Sequence, residues 1–508
     1  MEEIPGFLLL SSICFLVVLL LFLARNWHNS RLNNSRRLPP GPHGWPVVGN
    51  MFDLGQVPHE TLAGLRSKHG PIVSLRLGAV TTVVVLSAEA AEEMFKNHDL
   101  SFAGRTITEA MRACSFNQSS MALGQYGPYW RMLRRLCTTE LFSNKCLNET
   151  LAVRRKSVDN MVGWIKEEAK QTGRVDVAHF VFTTVFNLIG NLMFSRDLLG
   201  PQSKEGAEFF RASSKMTEWS GTPNVADFFP FLKWLDPQRI RANMERDLGH
   251  ALDIASCYIK ERTENQKIDK GKNRKDFLDA LLELKGETKD GSTNFSDKDV
   301  KIMILEIFLA ATDTTTSTIE WAMAELLHKP ELMNKVRGEL DQVVGQNRKV
   351  EESDMEGLPY LQAVVKETLR LHPPIPFLIP RRAVKETEFM GYSIPVDTQV
   401  LVHAWAIGRD PDVWKDPLSF NPERFLDSNI DFKGHHFQLI PFGAGRRICA
   451  GLPLADRMLH LVLGSLLHCF EWNLVGDTRP DTMDMGERMG ITLKMAVPLK
   501  AMPKPRVL

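Results

Sequence analysis

The chain has 508 residues, 44% of them hydrophobic and 24% charged, with a formal net charge of +1. That balance suits a folded protein with a large buried core and excludes a disordered or collagen-like chain. Near-neutral charge excludes a general attraction to nucleic acid, and seven scattered cysteines without a C-x-x-C pair read as reduced thiols rather than a disulfide framework.

Residues 7–24 run FLLLSSICFLVVLLLFLA without a charge. Spanning a bilayer takes about 20 apolar residues, so this run predicts a transmembrane anchor over 4–24. Glu2 and Glu3 precede it, and Arg25, Arg31, Arg36 and Arg37 follow. The positive flank stays cytoplasmic, which predicts a single pass with the rest of the chain in the cytoplasm. A cleaved signal peptide is the competing reading, disfavoured by the acidic start and the missing A-x-A-like site. Residues 25–50 form a basic flank and a proline-rich hinge. In Leu38-Pro39-Pro40-Gly41-Pro42 the prolines fix φ and remove backbone donors, so no helix continues through it.

From 51 to 508 no linker or fixed-period repeat breaks the chain, which predicts one catalytic domain. Two β-branched runs at 72–77 and 81–86 flank Gly78-Ala79-Val80 and read as a hairpin. Apolar periodicity predicts helices at 88–96, 129–141, 148–170, 238–266, 297–328, 330–345 and 360–371. The charged stretch 261–301 reads as a helix end plus a long solvated connection without function. A second β-like patch covers 389–404, with turn residues at Gly391 and Pro395, and a last helical run covers 453–468. The fold class is mainly α with a small β subdomain.

The first chemical constellation is Pro441-Phe442-Gly443-Ala444-Gly445-Arg446-Arg447-Ile448-Cys449-Ala450-Gly451. Its glycines let backbone approach a ligand closely. Cys449 falls just before a helix start, where free N–H groups and the helix dipole favour a thiolate. An electron-rich sulfur in an apolar setting suits haem iron. A dinucleotide loop is the competing reading, but Ile448 stands where its third glycine belongs and no β-α-β unit surrounds it. In a second constellation, Glu367 and Arg370 lie three apart on one helix face and can pair. In a third, Trp130 and Arg134 lie four apart and can both reach an anion. In a fourth, Asp313 and Thr314 interrupt an otherwise apolar helix, and an acid–alcohol pair can relay protons into a dry pocket.

The run Phe442-x-x-Gly445-x-Arg447-x-Cys449-x-Gly451 resembles the haem-binding loop of the cytochrome P450 monooxygenases, and the resemblance extends over essentially the whole chain. It implies that family's helical prism, with haem b held through Cys449 as iron ligand. Arg447, Trp130, Arg134 and Arg381 are then expected at the haem propionates, and Phe442 beneath the thiolate. Glu367, Arg370 and Arg424 become a structural core set, and Asp313 with Thr314 the proton relay. Ala311 departs from the family pattern, where a glycine normally stands. Met111, Phe116, Phe308, Ala310, Ile375, Phe377 and Ile491 become the substrate-facing positions.

The stretch 126–137 is similar to plant microsomal members, most like those that oxidise monoterpenoids and related specialised metabolites. The resemblance implies an enzyme of the endoplasmic reticulum membrane that uses dioxygen on a hydrophobic small molecule. Electrons would come from NADPH through a separate flavoprotein reductase, docked on a basic surface that includes Arg131, Arg135 and Lys145. Two other readings stand beside it: a reductase-independent haem-thiolate isomerase or dehydratase, and a non-catalytic haem-binding sensor at the membrane.

Overall fold

The β-branched runs pair antiparallel as Ile72–Leu77 and Val80–Val85, with Ile72 opposite Val85 and Leu77 opposite Val80. Gly78 turns the chain at a φ of 58°, and a Cβ there would lie 2.5 Å from the Phe228 carbonyl oxygen. The second strand adds Gln399–Val402 in parallel, followed by Arg381–Arg382 and Gly104–Arg105, both antiparallel. Val83, Val84 and Val85 are fully buried, which explains an unbroken valine run in an interior strand. The computed structural model describes residues 38–200, 204–268, 276–287 and 295–506. The expected anchor at 4–24 lies outside the described residues, as does most of the basic flank.

Helices make up the remainder, packed around the long helix Asp297–His328. Ser296 caps it: the side chains of Ser296 and Asp299 satisfy each other's backbone N–H groups, a capping box. Its neighbours include Val177–Phe194, Ile240–Ile268, Pro359–Leu371 and Leu452–Cys469. The expected helices are present with ends moved by a few residues, except that 148–170 is divided into Asn144–Glu149 and Leu151–Thr172.

Three departures have physical reasons. Val177–Phe194 is a helix that periodicity did not predict. It is buried almost all round, so no polar face gives it a 3.6-residue stripe. The stretch 261–301 is not merely solvated connection, because Phe277–Glu287 is a helix that buries Phe277, Leu278 and Leu281. Its four-residue apolar spacing was hidden inside a charged composition. The third departure is a sheet near the C-terminus, where Phe470–Leu474 and Val175–Asp176 flank Lys500–Pro505.

Val177–Phe194 and Asp297–His328 are long and apolar enough to cross a membrane, but their most apolar windows are 83% and 67% buried inside the protein. They are core helices here.

Candidate active site

Cys449 follows a turn whose shape depends on two left-handed glycines, Gly443 at φ 71° and Gly445 at φ 69°. A Cβ on Gly445 would lie 2.8 Å from the Asp99 carboxyl group. That carboxylate accepts from the Arg446 backbone N–H at 2.9 Å and from Arg381 Nη1 at 2.8 Å. Asp99 therefore pins the cysteine loop, a role no local pattern signalled. The Cys449 N–H donates to the Phe442 carbonyl at 3.0 Å, and Phe442 packs on Phe432. Helix Leu452–Cys469 begins three residues after the thiol, as expected.

The sulfur is accessible, but it opens into an internal cavity and not onto bulk solvent. Burial pushes the thiol up, while the N–H groups of Gly451 and Leu452 and the Arg134 guanidinium pull it down. Burial outweighs them, so the helix start alone does not make the free thiol acidic.

The cavity measures about 380 Å³. Arg105, Arg134, Arg381 and Arg447 all reach its wall, against the carboxylates of Asp99 and Glu306 nearby. Burial and the neighbouring Arg381 push the Arg447 guanidinium down to about 10, and burial and Arg447 push Arg105 down. Arg447 Nη1 is buried without a hydrogen-bond partner among the described residues. Like charges crowded in a low-dielectric wall, with an orphaned donor, create a demand for an anion. A haem with two propionates fits that demand, with Cys449 on the same cavity to take the iron.

Other donors are already committed. Trp130 Nε1 does not point at an anion: it donates to the Met121 carbonyl at 2.8 Å, and its ring lies 4.7 Å from the Arg447 guanidinium carbon. Arg381 Nη2 donates to the Ala444 carbonyl at 3.2 Å. Arg105, unnoticed in the sequence, donates to the Ala122 and Ile379 carbonyls at 2.8 and 2.6 Å.

Asp313 and Thr314 both reach the cavity, but they do not bond to each other. Adjacent helix positions diverge by about 100°. Asp313 pairs with Lys494, and Thr314 donates back to the Ala310 carbonyl at 2.7 Å. Asp313 belongs to a longer pattern. Asp299, Glu306, Asp313 and Glu320 recur every seven residues, and each holds a different segment against the long helix. Asp299 takes the Ser119 hydroxyl, Glu306 binds residues 120–122, and Glu320 accepts from the Leu499 N–H at 2.9 Å. That spacing was readable in the sequence.

Met111, Phe116, Ala310, Ile375 and Ile491, the positions expected to face substrate, lie on the cavity wall. Two positions are corrected. Phe308 is turned away from the cavity against Phe186, ring centroids 4.6 Å apart, because the helix phase gives the cavity to Ile307, Ala311 and Thr314 instead. Phe377 also lies off the cavity, packed against a second buried cluster with its ring 4.5 Å from that of His403, while Leu378 and Ile379 take the wall.

Behind the thiol helix, Glu367 and Arg370 form a bidentate pair at 2.6 and 2.8 Å with no exposure of either side chain. Arg370 also donates to the carbonyls of Gly408, Pro417 and Ser419, and Arg424 joins Glu367 at 3.0 Å. Every strong donor is met, so this buried set orders several loops at once.

The family model for cytochrome P450 matches residues 39–498. The chain belongs to the cytochrome P450 family. Among curated relatives, an iridoid oxidase of Catharanthus roseus is 50% identical over 97% of this chain and 96% of its own length. A geraniol 8-hydroxylase of Swertia mussotii is 43% identical over 97% of this chain and 98% of its own. A solved zebrafish cytochrome P450 with progesterone superposes with a TM-score of 0.76 at 28% identity, covering 88% of this chain and 99% of that one. The mainly helical fold with small sheets is thus the P450 fold, the family implies haem iron, and the enzyme class is that of the P450 monooxygenases.

Proposed function

We propose that this P450 oxidises a C–H bond of a small terpenoid, drawing electrons from NADPH through a separate flavoprotein reductase. The observation that carries the reading is the shared cavity: the Cys449 sulfur, Asp313 and Thr314 open onto one space whose wall, away from the arginine cluster, is mostly apolar. Such a wall recognises a hydrophobic molecule mostly by shape. The relatives named for iridoid oxidation and geraniol hydroxylation support a terpenoid of that size.

In this reading residues 51–508 form the catalytic domain. Cys449 would ligate the iron, with Phe442 in the same turn accepting from the Cys449 N–H. Arg447, Arg134, Arg105 and Arg381 would hold the propionates, and Trp130 stacks on Arg447 while donating to the Met121 carbonyl. When bound, haem supplies the oxygen and one-electron chemistry. The chain's own groups bind the substrate, exclude water and supply protons. Asp313 holds a proton-accepting oxygen at the cavity, and Thr314 offers its hydroxyl once released from the Ala310 carbonyl. With their side chains apart, transfer between them needs a bridging water or a rotation.

Exposed Trp45, Phe52, Phe231, Trp234 and Leu235 support an apolar face toward a bilayer. The turn at Gly78 and Ala79 touches both Val48 and Phe228, so these two apolar segments are neighbours. With the apolar run before residue 25, this supports a single-pass anchor in the endoplasmic reticulum membrane. Arg131, Arg135 and Lys145 are exposed and offer an acidic reductase a complementary surface.

The deciding experiment supplies geraniol and iridoid substrates to microsomes containing this chain and a reductase, with Cys449→Ala as control. Product that requires both NADPH and the intact thiol is expected. Product that forms equally without NADPH would refute the monooxygenase assignment.

A further inference from the structure

We propose that Glu306 determines substrate size selectivity by clamping residues 119–124 over the cavity. The proposal rests on the reading of that cavity as the haem and substrate pocket, and deepens it by naming what sets its dimensions.

Glu306 lies one residue before the cavity-wall residue Ile307 and is only 6% exposed. Its carboxylate takes the Ser120 hydroxyl, the Met121 N–H at 2.7 Å and the Ala122 N–H at 2.9 Å. The Ser120 oxygen in turn accepts the Leu123 N–H at 2.9 Å. Three consecutive backbone donors are therefore satisfied through one carboxylate. Three loop carbonyls are also satisfied: Met121 by Trp130 Nε1, Ala122 by Arg105 Nε and Gly124 by Arg447 Nη2, at 2.8, 2.8 and 2.7 Å. Gly124 closes onto the Ser120 carbonyl, which a Cβ would approach to 2.4 Å.

With its polar backbone thus engaged elsewhere, the segment presents Met121, Ala122 and Leu123 to the cavity. Loops without such bonds open locally at low cost. A loop held by these bonds cannot retreat for a larger ligand without breaking several of them. Asp299 of the same helix takes the Ser119 hydroxyl at the start of the segment, while Glu306 ties residues 120–122 beside the wall carrying Ile307 and Ala310. Glu306 acts through the loop, which makes it a positioning residue.

Glu306→Gln keeps the size but turns an amide donor toward backbone donors. The test compares haem-loaded Glu306→Gln with the parent by amide hydrogen exchange over 119–124. It also measures spectral titration with imidazole and with the bulkier 4-phenylimidazole, which need no turnover. Expected are exchange roughly tenfold faster in the loop and a shift in the ratio of the two ligand Kd values by roughly threefold toward the bulkier one. An unchanged Kd ratio overturns the proposal, whether or not exchange rises, since faster exchange alone marks a structural bond only. If Glu306→Gln does not accumulate, Ser120→Ala, which removes one of the three clamp bonds, is read the same way with a smaller shift. A parent protein without a haem absorption band would instead refute the reading of the pocket itself, while exchange would still report on the clamp.

Discussion

Lys494 reaches from the strand Lys494–Met495 to Asp313 in the middle of the long helix, and the two form an ion pair whose side chains are 28% and 13% exposed. The second Asp313 oxygen, Oδ2, is buried without a hydrogen-bond partner among the described residues. One carboxylate thus has a charge partner at the edge of solvent and a free acceptor inside the protein. In the proposed relay, that carboxylate joins the solvent edge to the interior.

Lys494→Met removes this ion-pair partner and leaves the carboxylate without the cation beside it. We expect unchanged haem content but several-fold less product per NADPH consumed, with the difference released as peroxide. Lys494→Arg restores coupling. Equal coupling in Lys494→Met and the parent would remove Lys494 from proton supply.

The buried Glu367–Arg370 pair makes a different prediction. Breaking a buried pair from one side costs about 3–5 kcal/mol, because the remaining charge loses its compensation. Glu367→Ala strands both Arg370 and Arg424, and Arg370→Ala also frees three loop carbonyls. Each variant is expected to accumulate without haem, read from the absence of the Soret band in purified protein.

Glu320 predicts a pH effect. Burial raises its carboxyl group from 4.5 to about 7, against the pull of the Leu499 N–H. Below pH 4.5 both folded and unfolded forms hold the proton. Between about 4.5 and 7 the unfolded chain loses it first, so stability falls as pH rises through that window. Glu320→Gln keeps an acceptor for Leu499 and removes the penalty. It should be more stable than the parent at pH 8 by about 1–3 kcal/mol, with the gap closing toward pH 4.5 in denaturant unfolding.

Ile307 and Phe308 are neighbours with opposite assignments. Phe308→Ala empties a packed core site and should cost about 3–5 kcal/mol while leaving product identity alone. Ile307→Ala enlarges the cavity and should change the ratio of oxidation products. Thermal unfolding and product chromatography on the two variants separate these effects.

Much of the site was legible because its motifs are local. Phe442 to Gly451 folds as one turn, and Glu367 with Arg370 sits on one helix turn, so sequence distance stands in for spatial distance. The substrate wall was only partly legible. Phe308 and Phe377 are apolar like their neighbours, and composition does not say which side of a helix or turn faces a cavity. Asp99, Arg105 and Lys494 were missed because their partners lie far along the chain: Arg381 and Arg446, Ile379, and Asp313. Glu306 was different. Its place in the seven-residue series of acids was a readable signal.

By itself the sequence determined the glycine-rich Cys449 turn, the mainly helical class, the buried ion-pair motif and the acid–alcohol dipeptide on the long helix. Each depends on residue type and short-range spacing, which backbone geometry converts directly into shared turns and faces. Tertiary structure alone decided where the side chains of that helix lead: Asp313 to Lys494, Thr314 to its own backbone, Glu306 to residues 120–122. Those destinations depend on which segments fold back against the helix. Long-range packing brings them there, and no local spacing encodes it.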